Sequence, residues 1–190
     1  AAPRDLDLFF PWDIDVDHAT ATALRAENAA RGFDARIANS EGASVSGGVG
    51  HRVYANSHGF VGGYPTSSYS TSCSVVAKSN GSLERDYWYT VSRSPDDLEA
   101  PEHVGEEAAR RAVQRLDARP LSTRKVSVLY PAELAKGLFG HLCAAIRGTA
   151  QYRRASFLLD AVGKQVLPTF IDIDEDPWIP RGLASACNAL

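Results

Sequence analysis

The histidines of this chain are the first residues whose types and spacing could support chemistry, as ligands of a hydrolytic zinc ion. Such a site needs two neutral imidazoles one turn apart on a helix and a carboxylate that takes a proton from the bound water. Only His141 lies in a segment with suitable helical spacing. His103 and Glu106 match the start of an inverted zinc motif, but Glu107 stands where its second histidine would be. Neither segment predicts a complete zinc site.

A second possible metal set lies in the first half of the chain and consists of His51, His58 and Cys73. The two histidines fall on a predicted strand and turn, with Cys73 within reach across the predicted sheet. Their spacing is not that of a zinc site. We therefore favour a structural role, since strand histidines are more often surface or hydrogen-bonded residues.

Other chemistry is weakly supported. Residues 65–74 are rich in hydroxyls but lack the Gly-x-Ser-x-Gly turn that exposes a nucleophile, and Cys143 is expected to be a core residue on the apolar side of a helix. The acidic residues at 13–17 lack the pattern of a calcium loop and are expected to cap a helix, with Asp17 as the cap. The acidic residues at 172–176 are expected in a solvated loop. No catalytic residue is predicted.

The segment Tyr152-Arg153-Arg154 is the one candidate binding site. Two guanidiniums beside an aromatic ring can hold a peptide carboxylate or backbone carbonyls, because a guanidinium donates several hydrogen bonds in a fixed plane. An alternative, equally open, is an ion pair of these arginines with Asp160 or Glu133.

Turn residues and periodicity predict the elements that must position these groups. We expect a helix over 17–31, an antiparallel meander over 35–93 and a helix over 101–116. Asn80-Gly81 predicts a two-residue hairpin, and the glycines at 42–50 predict a second, looser turn.

A break at 118–123 precedes a predicted strand at 126–130, a helix from 131 to about 146 and a short helix at 154–159. The expected class is α+β, a small antiparallel sheet with flanking helices followed by the start of a second α/β region. The domains would be 1–119 and 120–190.

Composition narrows the classes of function. The 190 residues are 44% hydrophobic and 23% charged, with a net charge of −3, so direct nucleic-acid binding is not expected. Three widely spaced cysteines fit reduced thiols, and no apolar run approaches the roughly 20 residues that span a membrane. The expected compartment is the cytoplasm.

Four segments together resemble a known family. They are Asn-Ser-His-Gly-Phe-Val-Gly-Gly-Tyr at 56–64, Glu-Arg-Asp-Tyr-Trp-Tyr-Thr-Val at 84–91, Gly-Leu-Phe-Gly-His-Leu at 137–142 and Tyr-Arg-Arg-Ala-Ser-Phe-Leu-Leu-Asp at 152–160. In this order they resemble the TldD/PmbA family of peptide-maturation proteases, on its PmbA (TldE) branch. The resemblance runs from about residue 5 to 186. It covers the middle of the family's usual length, so we expect the chain to be a fragment. The absence of Met agrees with this, and residues 187–190 are not expected to be native sequence.

The resemblance implies which subunit carries the metal. Aligned by the Arg-Arg pair, the His-Glu-x-x-x-His pattern of the metal-bearing TldD branch falls on Gly140, His141 and Ala145, so two ligands are missing. The family's third ligand, a cysteine, lies outside this sequence. The resemblance therefore implies no cofactor in this chain, with zinc expected only in a TldD-type partner.

The implied function is that of a PmbA/TldE-like subunit in a heterodimeric metalloprotease that processes peptides, without catalysis by this chain alone. The alternative is a non-proteolytic binding or regulatory protein, since the family has also been described as a modulator of DNA gyrase. The expected partners are a TldD-type subunit and a peptide substrate. A truncated sheet edge would also favour association with another copy.

Overall fold

The computed structural model describes residues 4–183, which form two compact units. Unit 1 comprises residues 4–119 together with 176–183, and unit 2 comprises residues 120–175. The chain therefore leaves unit 1 after Arg119 and returns to it at Asp176. Nothing in the sequence pattern at Asp176 indicates this return.

Unit 1 is a three-stranded antiparallel sheet with two helices, and it confirms the predicted α+β class. Its elements are α1 (Val16–Phe33), β1 (Ile37–Ala55), β2 (Val61–Ser79), β3 (Ser82–Ser92), a single 3-10 turn at Pro95–Asp97 and α2 (Pro101–Gln114). The strands are hydrogen-bonded in the order β1-β2-β3. No helix within residues 4–183 is both long and apolar enough to cross a membrane.

The hairpin between β2 and β3 turns at Asn80-Gly81, as predicted. Asn80 has φ 47° and Gly81 has φ 83°, and Ser79 lies opposite Ser82 in the register. Positive φ at both central residues gives the turn a twist that matches the flanking strands. The local sequence therefore sets this register directly.

The looser turn predicted at residues 42–50 is wrong. These glycines lie inside β1, and the chain turns instead between Asn56 and Phe60. The Asn56 side-chain oxygen accepts hydrogen bonds from the N–H groups of His58 (3.0 Å) and Phe60 (3.3 Å), which closes the loop. Glycine clusters predict turns only when the chain has no partner strand along them, and here β2 pairs with β1 throughout.

Both helices lie on one face of the sheet, and the core between them is made of small side chains. Its fully buried residues are Ala26, Ala30, Cys73, Val75, Ala77, Val104, Ala108, Ala109 and Ala112. Small residues let the two helices approach closely. At Gly105 of α2 an added Cβ would lie 2.0 Å from the carbonyl oxygen of Ala26 in α1.

The N-terminal segment is held against the middle of β2 by two buried side chains. The Tyr69 hydroxyl donates to the carbonyl oxygen of Phe10 (2.8 Å) and accepts from the N–H of Trp12 (3.0 Å). The Ser67 hydroxyl donates to the carbonyl oxygen of Arg93 (2.7 Å) and accepts from the N–H of Phe10 (2.9 Å). Residues 6–12 therefore form part of unit 1 although they belong to no regular element.

Unit 2 contains α3 (Ala132–Ile146) and α4 (Gly148–Tyr152). The strand predicted at 126–130 is wrong: within the described chain no strand pairs with it, and Leu129 is 94% exposed. A strand needs a partner for its backbone hydrogen bonds, and apolar alternation alone cannot supply one. The helix predicted at 154–159 is also wrong, because Arg154 adopts φ 54°, outside the right-handed helical region.

Candidate functional site

Helix α3 contains the three positions on which the resemblance places a zinc motif. Gly140 and His141 are exposed, whereas Ala145 is buried. Only His141 carries an atom that can ligate zinc, and a catalytic zinc site takes three protein ligands. The donor set therefore does not fit a zinc ion. Across residues 4–183, no group of three or more His, Cys, Asp or Glu side chains could hold a metal.

A hydrogen-bond cluster joins the end of α3 to the segment that carries the arginine pair. The carbonyl oxygen of Ala145 accepts from Gln151 Nε2 (2.7 Å) and from the Ser156 hydroxyl (2.7 Å). Gln151 Nε2 also lies 3.2 Å from Ser156 Oγ, which accepts the N–H of Leu158 at 2.9 Å. The last carbonyls of a helix lack partners within the helix, so these two side chains satisfy one of them. The cluster fixes residues 151–156 to the C-terminal end of α3.

Sequence reasoning missed both Gln151 and Ser156. Ser156 lies inside the 152–160 segment that carries the family resemblance, and this was the available signal. Nothing in the sequence distinguished Gln151, because a glutamine at the end of a short helix is common on protein surfaces. Their hydrogen bonds show that residues 151–156 are attached to the C-terminal end of α3.

The predicted binding residues Tyr152, Arg153 and Arg154 are all exposed, with Tyr152 at 90%. The N–H of Arg154 donates to the carbonyl oxygen of Gln151 (3.0 Å), which closes a tight turn. Among the described residues neither guanidinium forms an ion pair, so the pairing with Asp160 or Glu133 is not present. The turn therefore directs two positive charges and one aromatic ring into solvent.

The second possible metal set, His51, His58 and Cys73, is not brought together. His51 lies opposite Pro65, and Cys73 lies opposite Ala43, eight residues away along β1. At about 3.3 Å per residue this separates them by roughly 26 Å. The prediction that Cys73 lies within reach of His51 is therefore wrong. The distance between residues on neighbouring strands depends on the register of the strands, which the sequence alone did not show.

The thiols differ in their surroundings. Cys73 is 1% exposed beneath the helices, and this burial raises the pKa of its thiol to about 11. Cys143, expected in the core, is only half-buried and lines an apolar cleft of about 550 Å³ between α3 and residues 165–173. Cys187 lies outside the described residues.

The remaining titratable candidates have structural partners. His103 Nε2 lies 3.6 Å from Glu99 Oε2, and Glu107 forms an ion pair with Arg110. The Arg110 guanidinium lowers the pKa of Glu107. Helix α1 is capped by Asp15, which accepts the N–H of His18 at 2.7 Å, so the predicted cap at Asp17 is wrong by two residues and Asp17 lies in the first turn.

Two family models match the chain in succession. The central domain of the PmbA/TldA metallopeptidases matches residues 10–116, and the C-terminal domain of the same family matches residues 123–188. The first match alone spans more than half of the chain. This chain belongs to the PmbA/TldD metallopeptidase family.

Relatives and solved structures agree with this assignment. The chain is 49% identical over 181 residues to Metalloprotease PmbA of Escherichia coli O157:H7 and 50% identical over 181 residues to a Metalloprotease PmbA homolog of Haemophilus influenzae. These matches cover 95% of this chain and 40% of each relative, so the chain spans well under half of their length.

Two crystal structures share the fold. One is a proposed modulator of DNA gyrase from Bacteroides thetaiotaomicron, with a TM-score of 0.77, 24% identity, and coverage of 84% of this chain and 37% of that one. The other is TldE from Thermococcus kodakarensis, with a TM-score of 0.64, 18% identity, and coverage of 80% and 34%. At these identities the likeness concerns the fold alone.

Proposed function

We propose that the protein to which these residues belong is a PmbA/TldE-type subunit of a two-subunit metalloprotease that processes peptides. One observation carries the proposal: at the zinc-motif positions α3 has Gly140, His141 and Ala145, which offer one ligating side chain. The catalytic zinc would then belong to a TldD-type partner. The names of the relatives, Metalloprotease PmbA and its homologs, support a role in proteolysis.

Within that assembly the turn at Tyr152, Arg153 and Arg154 would hold the peptide. Both guanidiniums are exposed and free of ion pairs in the described chain, so they can donate hydrogen bonds to a carboxylate or to backbone carbonyls without first breaking a salt bridge. Gln151 and Ser156 fix the turn to α3. A fixed turn lowers the entropy that peptide binding costs.

The test uses the native-length protein, alone and mixed with a TldD-type subunit, with an unstructured peptide as substrate. We expect peptide cleavage and one zinc only in the mixture. Stoichiometric zinc together with cleavage by the protein alone would refute the division of labour. Recovery of gyrase without a TldD-type subunit in a pull-down would instead favour the adaptor function.

The role of the arginine pair is tested separately. We expect the R153A/R154A double variant to raise the KM of the mixture about tenfold or more while zinc content and subunit association stay unchanged. Arg147→Ala is the matched control, because Arg147 is an exposed arginine five residues from the turn's tyrosine. Equal KM values for the double variant and the native protein would refute peptide contact at this turn.

A further inference from the structure

Residues 179–182 form a turn, here called the anchor turn, that is attached to unit 1 after the chain has passed through unit 2. The N–H of Gly182 donates to the carbonyl oxygen of Ile179 at 3.1 Å, with Pro180 at the second position and φ 57° at Arg181. This is the pattern of a type II turn, whose third position favours glycine. An arginine there is uncommon and costs about 1 kcal/mol or more in backbone strain. Compensating contacts must therefore hold it.

The side chain of Arg181 makes those contacts. Its Nε lies 2.7 Å from Asp7 Oδ2 and one of its terminal nitrogens lies 3.0 Å from Asp97 Oδ2. Its guanidinium carbon lies 4.6 Å from the ring centroid of Phe10. The two carboxylates raise the pKa of the guanidinium, so it stays charged. One arginine thus joins the N-terminal segment to the 3-10 turn after β3.

The backbone of the anchor turn is held as well. The N–H of Arg181 donates to the carbonyl oxygen of Leu6 at 2.8 Å. The carbonyl oxygen of Gly182 accepts two hydrogen bonds from Arg93, from Nε at 3.1 Å and from Nη2 at 3.0 Å. Arg93 is only 8% exposed, and its third nitrogen donates to the carbonyl oxygen of Ser67 at 2.9 Å and to the hydroxyl of Thr66. The buried guanidinium of Arg93, which follows β3 and is bonded to β2, is therefore aimed at one carbonyl of the returning chain.

We propose that unit 1 carries a docking groove for an arginine-containing turn, and that the anchor turn of the same chain fills it. Leu6, Asp7, Phe10, Arg93 and Asp97 form this anchor groove. The Phe10 ring lies against the arginine side chain, the two carboxylates bind its guanidinium, and the buried guanidinium of Arg93 binds the next carbonyl. By sequence the anchor turn lies in the stretch that matches the family's C-terminal domain, yet its contacts are in unit 1. The groove therefore holds residues 179–182 on unit 1, independently of any peptidase activity.

The first test measures amide hydrogen exchange at residues 178–183 in the uncut chain. A docked Arg181 N–H exchanges slowly because it is bonded to Leu6, and local opening controls its exchange. We expect Asp97→Asn to speed exchange there about tenfold and Arg181→Ala to speed it more, with α2 unchanged. Arg119→Ala is the control, since Arg119 is exposed and outside the groove. Equal exchange at residues 178–183 in all four proteins would overturn the proposal.

The second test separates docking from covalent tethering. A single protease site after residue 175 allows the folded chain to be cut once and the released C-terminal segment to be removed in dilute solution, and a synthetic peptide of residues 174–183 is then added. A tether corresponds to effective concentrations in the millimolar range, so the peptide is titrated to about 1 mM. We expect binding within that range, reported by the fluorescence of Trp178, and at least tenfold weaker binding of the peptide with Arg181→Ala. No binding at about 1 mM, or equal binding of both peptides, would show that the turn lies in the groove only because the chain holds it there.

Discussion

Replacement of Gly105 by alanine tests the close approach of α1 and α2 that defines the core of unit 1. The added Cβ would lie 2.0 Å from the carbonyl oxygen of Ala26 and 3.0 Å from the backbone nitrogen of Ala30. The first distance is about 1.5 Å short of a favourable non-bonded contact of roughly 3.5 Å. Both atoms belong to the backbone of α1, so no rotamer change relieves the clash and the helices must separate.

Two opposing terms set the magnitude of this change. Overpacking of a core costs typically about 1–3 kcal/mol, and a clash with backbone atoms, which cannot change rotamer, places the cost near 3 kcal/mol. Alanine is the better helix former by about 1 kcal/mol, which offsets part of it. We expect Gly105→Ala to lower the free energy of unfolding by about 2 kcal/mol, although most glycine-to-alanine changes within a helix raise it.

The assay is urea unfolding of the whole chain followed by circular dichroism and tryptophan fluorescence. Gly32→Ala in α1 is the matched control, because nothing lies within 4 Å of its added Cβ. That change should leave stability equal or raise it by up to about 1 kcal/mol. If Gly105→Ala were as stable as the native chain, the argument from helix proximity would be refuted.

Three further results are expected. Tyr69→Phe should lower the free energy of unfolding by about 1–2 kcal/mol, since it leaves the N–H of Trp12 without its partner, and urea unfolding measures this. Cys73 should resist alkylation in the native state and react once urea unfolds the protein. Burial raises the pKa of its thiol from 9.0 in the unfolded chain to about 11 in the folded protein. The free energy of unfolding should therefore fall as pH rises through that interval, which melting at a series of pH values measures. Ser156→Ala should loosen the turn that Gln151 also holds, and raise the KM of the two-subunit protease several-fold without changing zinc content.

The sequence predicted correctly those elements that depend only on residues close together along the chain. The Asn80-Gly81 hairpin formed as predicted because positive φ at those two residues is a property of the residues themselves. Both long helices of unit 1 lie within about two residues of their predicted bounds, since apolar period and terminal signals are read along the chain. The strand at 126–130 failed because pairing depends on another segment that periodicity does not identify.

The candidate site shows the same division. The sequence named Tyr152, Arg153 and Arg154 as candidate binding residues and placed one ligating side chain, His141, at the three zinc-motif positions, because those are statements about residue types at given positions. It did not reveal that Gln151 and Ser156 fix the arginine turn to α3, since this depends on where the carbonyl of Ala145 ends the helix. It also placed Cys73 near histidines from which the register separates it.

By itself, the sequence determined the family, the α+β class and the residue types at positions 140, 141 and 145, all of which are recorded in the order and spacing of residues. Only the tertiary structure decided that residues 176–183 return to unit 1, and that Arg93 and Arg181 hold them there. The physical reason is distance along the chain. Arg181 lies 174 residues from Asp7 and 84 from Asp97, and no local pattern encodes a contact between groups that folding alone brings together.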